Sequence, residues 1–156
     1  FSDGPMIALR SRGIGMLTQE AAQRAHAVGP TARASGIAFD CRLNHPTYRQ
    51  LGFVPVSRAD CDNYARIMVR FDEVAQSISL IRKCLQELPP GVIRGGGICK
   101  AGETRYSGEA PRGELTYFIK SDEYGRIVDI QIQTPSIMNI EACLHELVFG
   151  GDSVAS

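Results

Sequence analysis

The sequence has no Trp, no cysteines spaced two apart, no long apolar run and no excess of either charge sign. Seventeen Lys plus Arg balance seventeen Asp plus Glu, so the formal net charge is zero. That removes the global field expected of a protein that tracks nucleic acid or an anionic bilayer, and no basic stretch carries interleaved aromatics. Nucleic acid is not an expected partner. No stretch approaches the roughly 20 apolar residues that span a bilayer, so any membrane association is expected to come through partners. The chain opens Phe1-Ser2-Asp3-Gly4-Pro5, which fits neither a signal nor a transit peptide and is expected of a piece of something longer. Five cysteines, at 41, 61, 84, 99 and 143, argue against a disulfide framework and against a metal site built from this chain alone. The simplest setting is reducing and cytoplasmic.

What is present is 156 residues of ordinary globular composition, 44% hydrophobic and 22% charged, enough for one core. Residues 5 to 17 read as short extended segments around Gly13 and Gly15. Thr18 is a plausible N-cap for a short helix through Ala27 that Gly29-Pro30 stops. Thr31 to Ser35 suggest one more turn, ended by Gly36, and residues 37 to 56 read as loop.

The clearest element runs from 60 to 88. Tyr64, Ile67, Met68, Phe71, Val74, Ala75, Ile78, Ile81, Leu85 and Leu88 recur at spacings of three and four, with charged residues largely between them. At 1.5 Å per residue this helix is about 43 Å long, and Pro89-Pro90-Gly91 ends it. Its apolar stripe is wide, as suits a helix covered on more than one side. Residues 91 to 108 read as a glycine-rich connector. Leu115, Tyr117 and Ile119 alternate with Thr116, Phe118 and Lys120, and after a turn at 121 to 125 Val128, Ile130 and Ile132 alternate with Asp129, Gln131 and Gln133, which predicts a β-hairpin with one apolar face. Ser136 or Asn139 is a candidate cap for a last short helix containing Ile140, Ala142, Leu144 and Leu147, with Gly150-Gly151 after it. The expected class is α+β: one long amphipathic helix, with shorter helices, beside a small antiparallel sheet.

Few features suggest chemistry by themselves. Gly95-Gly96-Gly97 with Lys100 lacks the strand and the Gly-Lys-Ser/Thr ending of a phosphate loop and reads as a flexible loop. Cys41 with His45, and Cys143 with His145, each offer only two ligands for a tetrahedral metal. A Cys–His nucleophilic pair is not selected by anything in the sequence. Glu109-Ala110-Pro111-Arg112-Gly113-Glu114 is more specific. Pro111 fixes φ and Gly113 permits a bend, which pins the base of Arg112 and lets its guanidinium be aimed. The plainer alternative is a β-turn whose surface Arg pairs with Glu109 or Glu114, worth about 0–1 kcal/mol.

Glu109-Ala110-Pro111-Arg112-Gly113, followed by two strands and Pro135-Ser136-Ile137-Met138-Asn139, resembles a succession found in nickel–iron hydrogenase large subunits. With variations it also resembles the related subunit of respiratory complex I. Gly13-Ile14-Gly15-Met16-Leu17-Thr18, Ala34-Ser35-Gly36-Ile37, Asp40-x-Arg42, the run from Asp60 to Arg66, Arg70-Phe71-Asp72-Glu73-Val74 and Leu88-Pro89-Pro90-Gly91 extend the likeness over most of the chain.

The resemblance implies an internal portion, 1–156, of the large subunit of a membrane-bound, energy-converting hydrogenase. Such an enzyme carries out reversible H2 oxidation and passes electrons to an iron–sulfur partner subunit, with membrane-arm subunits completing the complex. The alternative it implies is a complex I-type, quinone-reducing subunit without a metal in the large subunit; a non-catalytic scaffold domain is a third reading. For a hydrogenase it assigns Arg112 and Pro111 to the catalytic pocket, and Arg112, Ser136 and Pro135 to the surroundings of a nickel–iron centre with CN and CO ligands. Guanidinium and hydroxyl donors stabilise the negative charge on cyanide nitrogens. Arg at 112 and Ser136 lean toward the hydrogenase side, and the Glu114-Leu115 continuation resembles the membrane-bound, complex I-related group more than the soluble uptake enzymes.

The family's two Cys-x-x-Cys pairs, which bind the metals, are not in these 156 residues, so no metal ligand is assigned here and the piece alone is expected to be inactive. Its location is expected to be cytoplasmic and peripheral to the membrane. The wide helix stripe also predicts self-association of the isolated chain; a clean monomer by light scattering, with no exposed apolar patch, would count against it.

Overall fold

The computed structural model describes residues 4–92, 95 and 100–144. Gly96 and Gly97 of the glycine run, Cys99, His145, Leu147 and Gly150-Gly151 lie outside the described residues. Six helices and one sheet follow in chain order: α1 Pro5–Ser11, α2 Gln19–Arg24, α3 Gly29–Arg33, a 3-10 turn Cys41–Asn44, α4 Pro46–Gln50, α5 Asn63–Glu87, strands β1 Gly102–Ala110, β2 Gly113–Ser121 and β3 Ile127–Gln133, then α6 Pro135–Glu141. The class is α+β, as the pattern predicts.

The helix starts show how local chemistry acts. Thr18 caps α2 by accepting from the Ala21 amide, as expected. Gly29-Pro30 does not merely stop α2; Pro30 stands in the first turn of α3, where a missing N–H costs nothing. Pro5 and Pro46 open α1 and α4 in the same way. Those two helices replace the extended and loop segments expected at 5–17 and 37–56. Each is too short to show a period, and Met6 to Leu9 form a continuous apolar run instead of a stripe.

The long helix begins three residues later than its periodicity suggests. Asp62 is its N-cap: Oδ1 accepts from Ala65 N at 2.7 Å, and Oδ2 accepts from Gly13 N at 2.9 Å. One carboxylate thereby starts α5 and holds the loop after α1. Arg66 completes the joint, donating from Nη1 to the Cys61 carbonyl at 3.1 Å and from Nη2 to the Gly15 carbonyl. At 25 residues, α5 is about 37 Å long. Only Ala65, Arg66, Val69 and Leu80 on it are buried, whereas Val74, Ile81 and Leu85 are more than half exposed. The wide stripe is therefore real in sequence and largely uncovered among the described residues. None of the described helices is long and apolar enough to cross a membrane.

The sheet has three antiparallel strands in the order β1-β2-β3, one more than the predicted hairpin. β1 lies in what reads as a connector because Gly-Glu-Thr-Arg-Tyr-Ser-Gly-Glu-Ala lacks apolar alternation. It pairs with β2 along its whole length, from Gly102↔Ser121 to Ala110↔Gly113. Asp122 closes the β2–β3 turn by accepting from the Tyr124 and Arg126 amides. One sheet face carries Glu103–Lys120 and Ser107–Thr116 pairs. The other carries the apolar rows Tyr106–Tyr117–Ile132 and Thr104–Ile119–Ile130.

The apolar core is divided into three small groups: Leu17, Ala21, Ala22, Ala25 and Ala142; Ala34, Ala65 and Val69; and Leu51, Phe53 and Leu80. Alanines dominate, so backbones approach closely but little apolar area is buried per residue. In such a fold, caps matter. Asp62→Ala is expected to lower unfolding free energy by about 1–2 kcal/mol, read from the urea midpoint at unchanged slope; an unchanged midpoint would remove the dual role given to this carboxylate.

Candidate functional site

At the centre lies a buried set of charges drawn from four parts of the chain. Arg33, at the end of α3, is 1% exposed. Its Nε donates to Glu73 Oε1 of α5 at 2.7 Å, and its Nη1 donates to Glu109 Oε1 of β1 at 2.8 Å. Nη1 also reaches the Phe39 carbonyl at 3.0 Å and lies 3.2 Å from Asp40 Oδ2. Asp40 is in turn forked by Arg42, with contacts of 2.9 and 2.7 Å, and accepts from the Arg42 amide to start the 3-10 turn. The Arg42 guanidinium stacks over the Phe53 ring at 4.4 Å.

Burial alone would lower the Arg33 pKa. Hydrogen bonds and attraction from Glu109 and Glu73 outweigh it, and the shift is upward. Arg42 behaves the same way beside Asp40. Two guanidiniums thus face three carboxylates, all with partners, as buried ions require. Cys41 sits at the edge of this set, its amide donating to Glu109 Oε2 at 3.2 Å. Burial, then the nearby Glu114 and Glu109 charges, push its thiol up to about 12.

Glu109 leads directly into the β1–β2 turn. Because Ala110 pairs with Gly113, the turn is only two residues long, Pro111-Arg112. Both are exposed. Gly113, at φ 130°, and Gly29, at φ 67°, are pressed together: a Cβ on Gly113 would lie 2.8 Å from Gly29 N, and one on Gly29 would overlap the Arg112 carbonyl. From α6, Asn139 Nδ2 donates to the Arg112 carbonyl at 3.3 Å. It also donates to the Val28 carbonyl, while Oδ1 accepts from Val28 N at 3.0 Å.

The four residues singled out from sequence are distributed over these parts. Pro111 lines a groove of about 370 Å³ with Arg42, Arg70, Glu73, Val74, Ser77, Glu109 and Ala110. Arg112 makes no side-chain hydrogen bond or ion pair among the described residues. Its expected turn partners are otherwise engaged: Glu109 with Arg33, and Glu114 at 4.0 Å from Arg105. Pro135 is buried at the start of α6, and Ser136 is exposed in its first turn. Thr134 occupies the cap position, so neither Ser136 nor Asn139 is a cap. Asn139 stands about one helical turn beyond Ser136, and it is Asn139 that reaches the hairpin tip. No hydrogen bond joins the Arg112 and Ser136 side chains among the described residues.

Sequence reasoning missed Arg33, Asp40, Glu73 and Glu109 as a unit, and the part played by Asn139. Asp40, Glu73, Glu109 and Asn139 fall in segments that carry the family resemblance, and Arg33 immediately precedes one of them.

Among the described residues no three His, Cys, Asp or Glu side chains converge for a metal. Cys41 is buried and held as a thiol, whereas His45 is exposed with its ring edge-on to Tyr48 at 5.9 Å. Both line one groove of about 320 Å³, and among the described residues no metal-ligating group of three includes them.

Comparison with known proteins gives this arrangement a family. Residues 1–96 match the model of the respiratory-chain NADH dehydrogenase 49 kDa subunit. The chain belongs to that family. It is 37% identical over 146 residues to the carbon monoxide-induced hydrogenase of Rhodospirillum rubrum, covering 91% of this chain and 40% of that protein. It is 34% identical over 156 residues to an NADH-quinone oxidoreductase subunit of Dehalococcoides mccartyi, covering 96% and 42%. It is also 34% identical over 153 residues to an F420H2 dehydrogenase subunit of Methanosarcina mazei, covering 90% and 41%. The chain thus spans about two fifths of the length of these relatives, all named as oxidoreductases or their subunits. The 49 kDa family match covers the helical part with Arg33, Asp40 and Glu73.

Removing one member of the buried set should leave an uncompensated charge. Arg33→Met is expected to cost roughly 3–5 kcal/mol in denaturant unfolding; a loss under 1 kcal/mol would show that the cluster is not the central joint. The Cys41 thiol is favoured neutral in the fold. Its contribution should be complete below its ordinary value near 9 and lost as pH rises from there toward about 12. At pH 8 native Cys41 should resist thiol reagents that label exposed Cys84.

Proposed function

We propose that this chain forms the frame of the reaction cavity in the large subunit of a complex I-type oxidoreductase, which takes electrons from an iron–sulfur partner subunit and delivers them to a quinone-like acceptor. Arg112 is the cavity's cationic donor and Pro111 shapes its wall. Pro135 seats α6 in the packed interior, and Ser136 offers a hydroxyl beside the hairpin tip. The protein would work in a complex peripheral to the membrane, with membrane-arm partners.

The observation that carries this reading is the state of the Pro111-Arg112 tip. Its Arg112 carbonyl accepts from Asn139, and the strand entering it is anchored by the Glu109 carboxylate on Arg33, yet the guanidinium has no partner among the described residues. A two-residue turn held that firmly, ending in an unspent cation, suits a group that must meet charge developing on something bound. The planar fork of Arg presents paired donors to a carbonyl or oxyanion and stays protonated at every working pH. The relative named as a subunit of NADH-quinone oxidoreductase supports acceptor chemistry of this kind.

A hydrogenase is the second reading, favoured by the Glu-Ala-Pro-Arg-Gly run itself and by the 37% identity to the carbon monoxide-induced hydrogenase. A nickel–iron centre with CN and CO ligands would then supply the H2 chemistry. Its metal ligands would have to come from outside the described residues, and Arg112 and Ser136 would serve as hydrogen-bond donors to cyanide.

Both readings are tested in the complete complex, assayed in parallel for reduction of a short-chain quinone and for H2 uptake with a viologen dye. The first reading expects quinone reduction and no H2 uptake; the second expects the reverse. In either case Arg112→Ala should lower turnover by roughly 10²-fold or more, with Arg112→Lys recovering only part. Normal turnover of Arg112→Ala in the assay that the unaltered complex satisfies would withdraw the role given to Arg112.

A further inference from the structure

We propose that Asn139 is a positioning residue for Arg112: its side-chain amide sets the backbone of the Pro111-Arg112 tip and so the direction in which the guanidinium points. This rests on the role assigned to Arg112 above.

Asn139 lies within α6, where Asn is a poor helix former and its side chain caps nothing. Local structure does not explain its presence, but the tertiary contacts do. All of its donor and acceptor chemistry is directed across a joint between three segments. Oδ1 accepts from Val28 N at 3.0 Å, and Nδ2 donates to the carbonyls of Val28 and Arg112, each at 3.3 Å. Only a neutral amide offers an acceptor and two donors on so short a stem. Asp would lack the donors, Gln would overreach by a methylene, and Leu would leave the Val28 amide without its partner.

The joint is too tight for an alternative. Gly29 follows Val28, Gly113 follows Arg112, and a Cβ on either glycine would collide with the opposite backbone. Those glycines allow the two chains to approach; Asn139 decides how they are registered. Since no partner fixes the Arg112 side chain itself among the described residues, its aim is inherited from its own backbone. Small displacements at such a site are costly, because a misplacement of about 1 Å can cost on the order of 10²-fold in rate.

The decisive variant is Asn139→Asp. Its ionised carboxylate would face two carbonyl oxygens against one N–H donor, which favours the protonated form. Protonation restores one O–H donor for one of the carbonyls. Measured in the complete complex and normalised to the unaltered complex at each pH, turnover of Asn139→Asp should be roughly 10–100-fold low at pH 8 and should recover as pH falls toward 5.5. Asn139→Ala should show a similar deficit that does not change with pH. In both variants the loss should fall on kcat, with KM for the acceptor nearly unchanged.

Hydrogen exchange of the unaltered chain gives a second readout. The Val28 amide should be protected because its acceptor is the Asn139 side chain, and an unprotected Val28 amide would overturn the clasp. Should Asn139→Ala fail to assemble, the pH recovery of Asn139→Asp decides the matter, and a flat pH profile overturns the proposal. Full turnover in both Asn139 variants, with Arg112→Ala inactive, would refute the positioning role while leaving the role of Arg112 intact. Full turnover in Arg112→Ala as well would remove the reading on which the proposal rests.

Discussion

The Arg33 guanidinium is the interaction on which the rest of the described structure depends. It is the one point where α3, the segment before the 3-10 turn, α5 and β1 all meet, through the Phe39 carbonyl, Asp40, Glu73 and Glu109. Among the described residues the three apolar groups are small and separate, so there no single hydrophobic core dictates how helices and sheet are placed. A buried ion set contributes little net stability, because desolvation offsets much of the Coulombic gain. It does penalise wrong arrangements severely, since each misplacement strands a charge. The fold therefore draws its bulk stability from alanine-rich packing and its geometry from Arg33.

That geometry is passed on to the β1–β2 turn. Glu109 is both a partner of Arg33 and the residue two before Pro111, so the strand enters the turn already registered to the helices. On the exit side, the Gly29–Gly113 approach and the Asn139 amide fix the other end. Rigid backbone next to an unpaired side chain is a common design for a site that must be preorganised but remain available. Among the described residues the apolar rows of the sheet and the stripe of α5 are largely exposed, in contrast with this buried centre.

Legibility from the sequence differed by element for physical reasons. α5 is readable because 25 residues give about seven turns of periodic apolar positions, and β2 and β3 because one face of each repeats large apolar residues at every second position. β1 is not, since a polar strand on a sheet edge is held by backbone hydrogen bonds that leave no mark on side-chain pattern. α1 and α4, one to two turns each, carry no period to detect; their opening prolines were the available signal. At the candidate site the Pro-Arg-Gly turn was visible as local chemistry. The charge set was invisible, because Arg33, Asp40, Glu73 and Glu109 are separated by up to 76 positions and each alone looks like a surface charge.

The sequence by itself determined the α+β class, the long helix and its proline stop, the Thr18 cap, the bend at Pro111–Gly113 and the membership of an oxidoreductase family. All of these are written in local periods, local turn chemistry or ordered motifs. Folding settles that Glu109 serves Arg33 instead of Arg112, and that Asn139 joins α6 to the hairpin tip. Those outcomes depend on which distant groups share a space from which water is excluded, and no spacing along the chain encodes that.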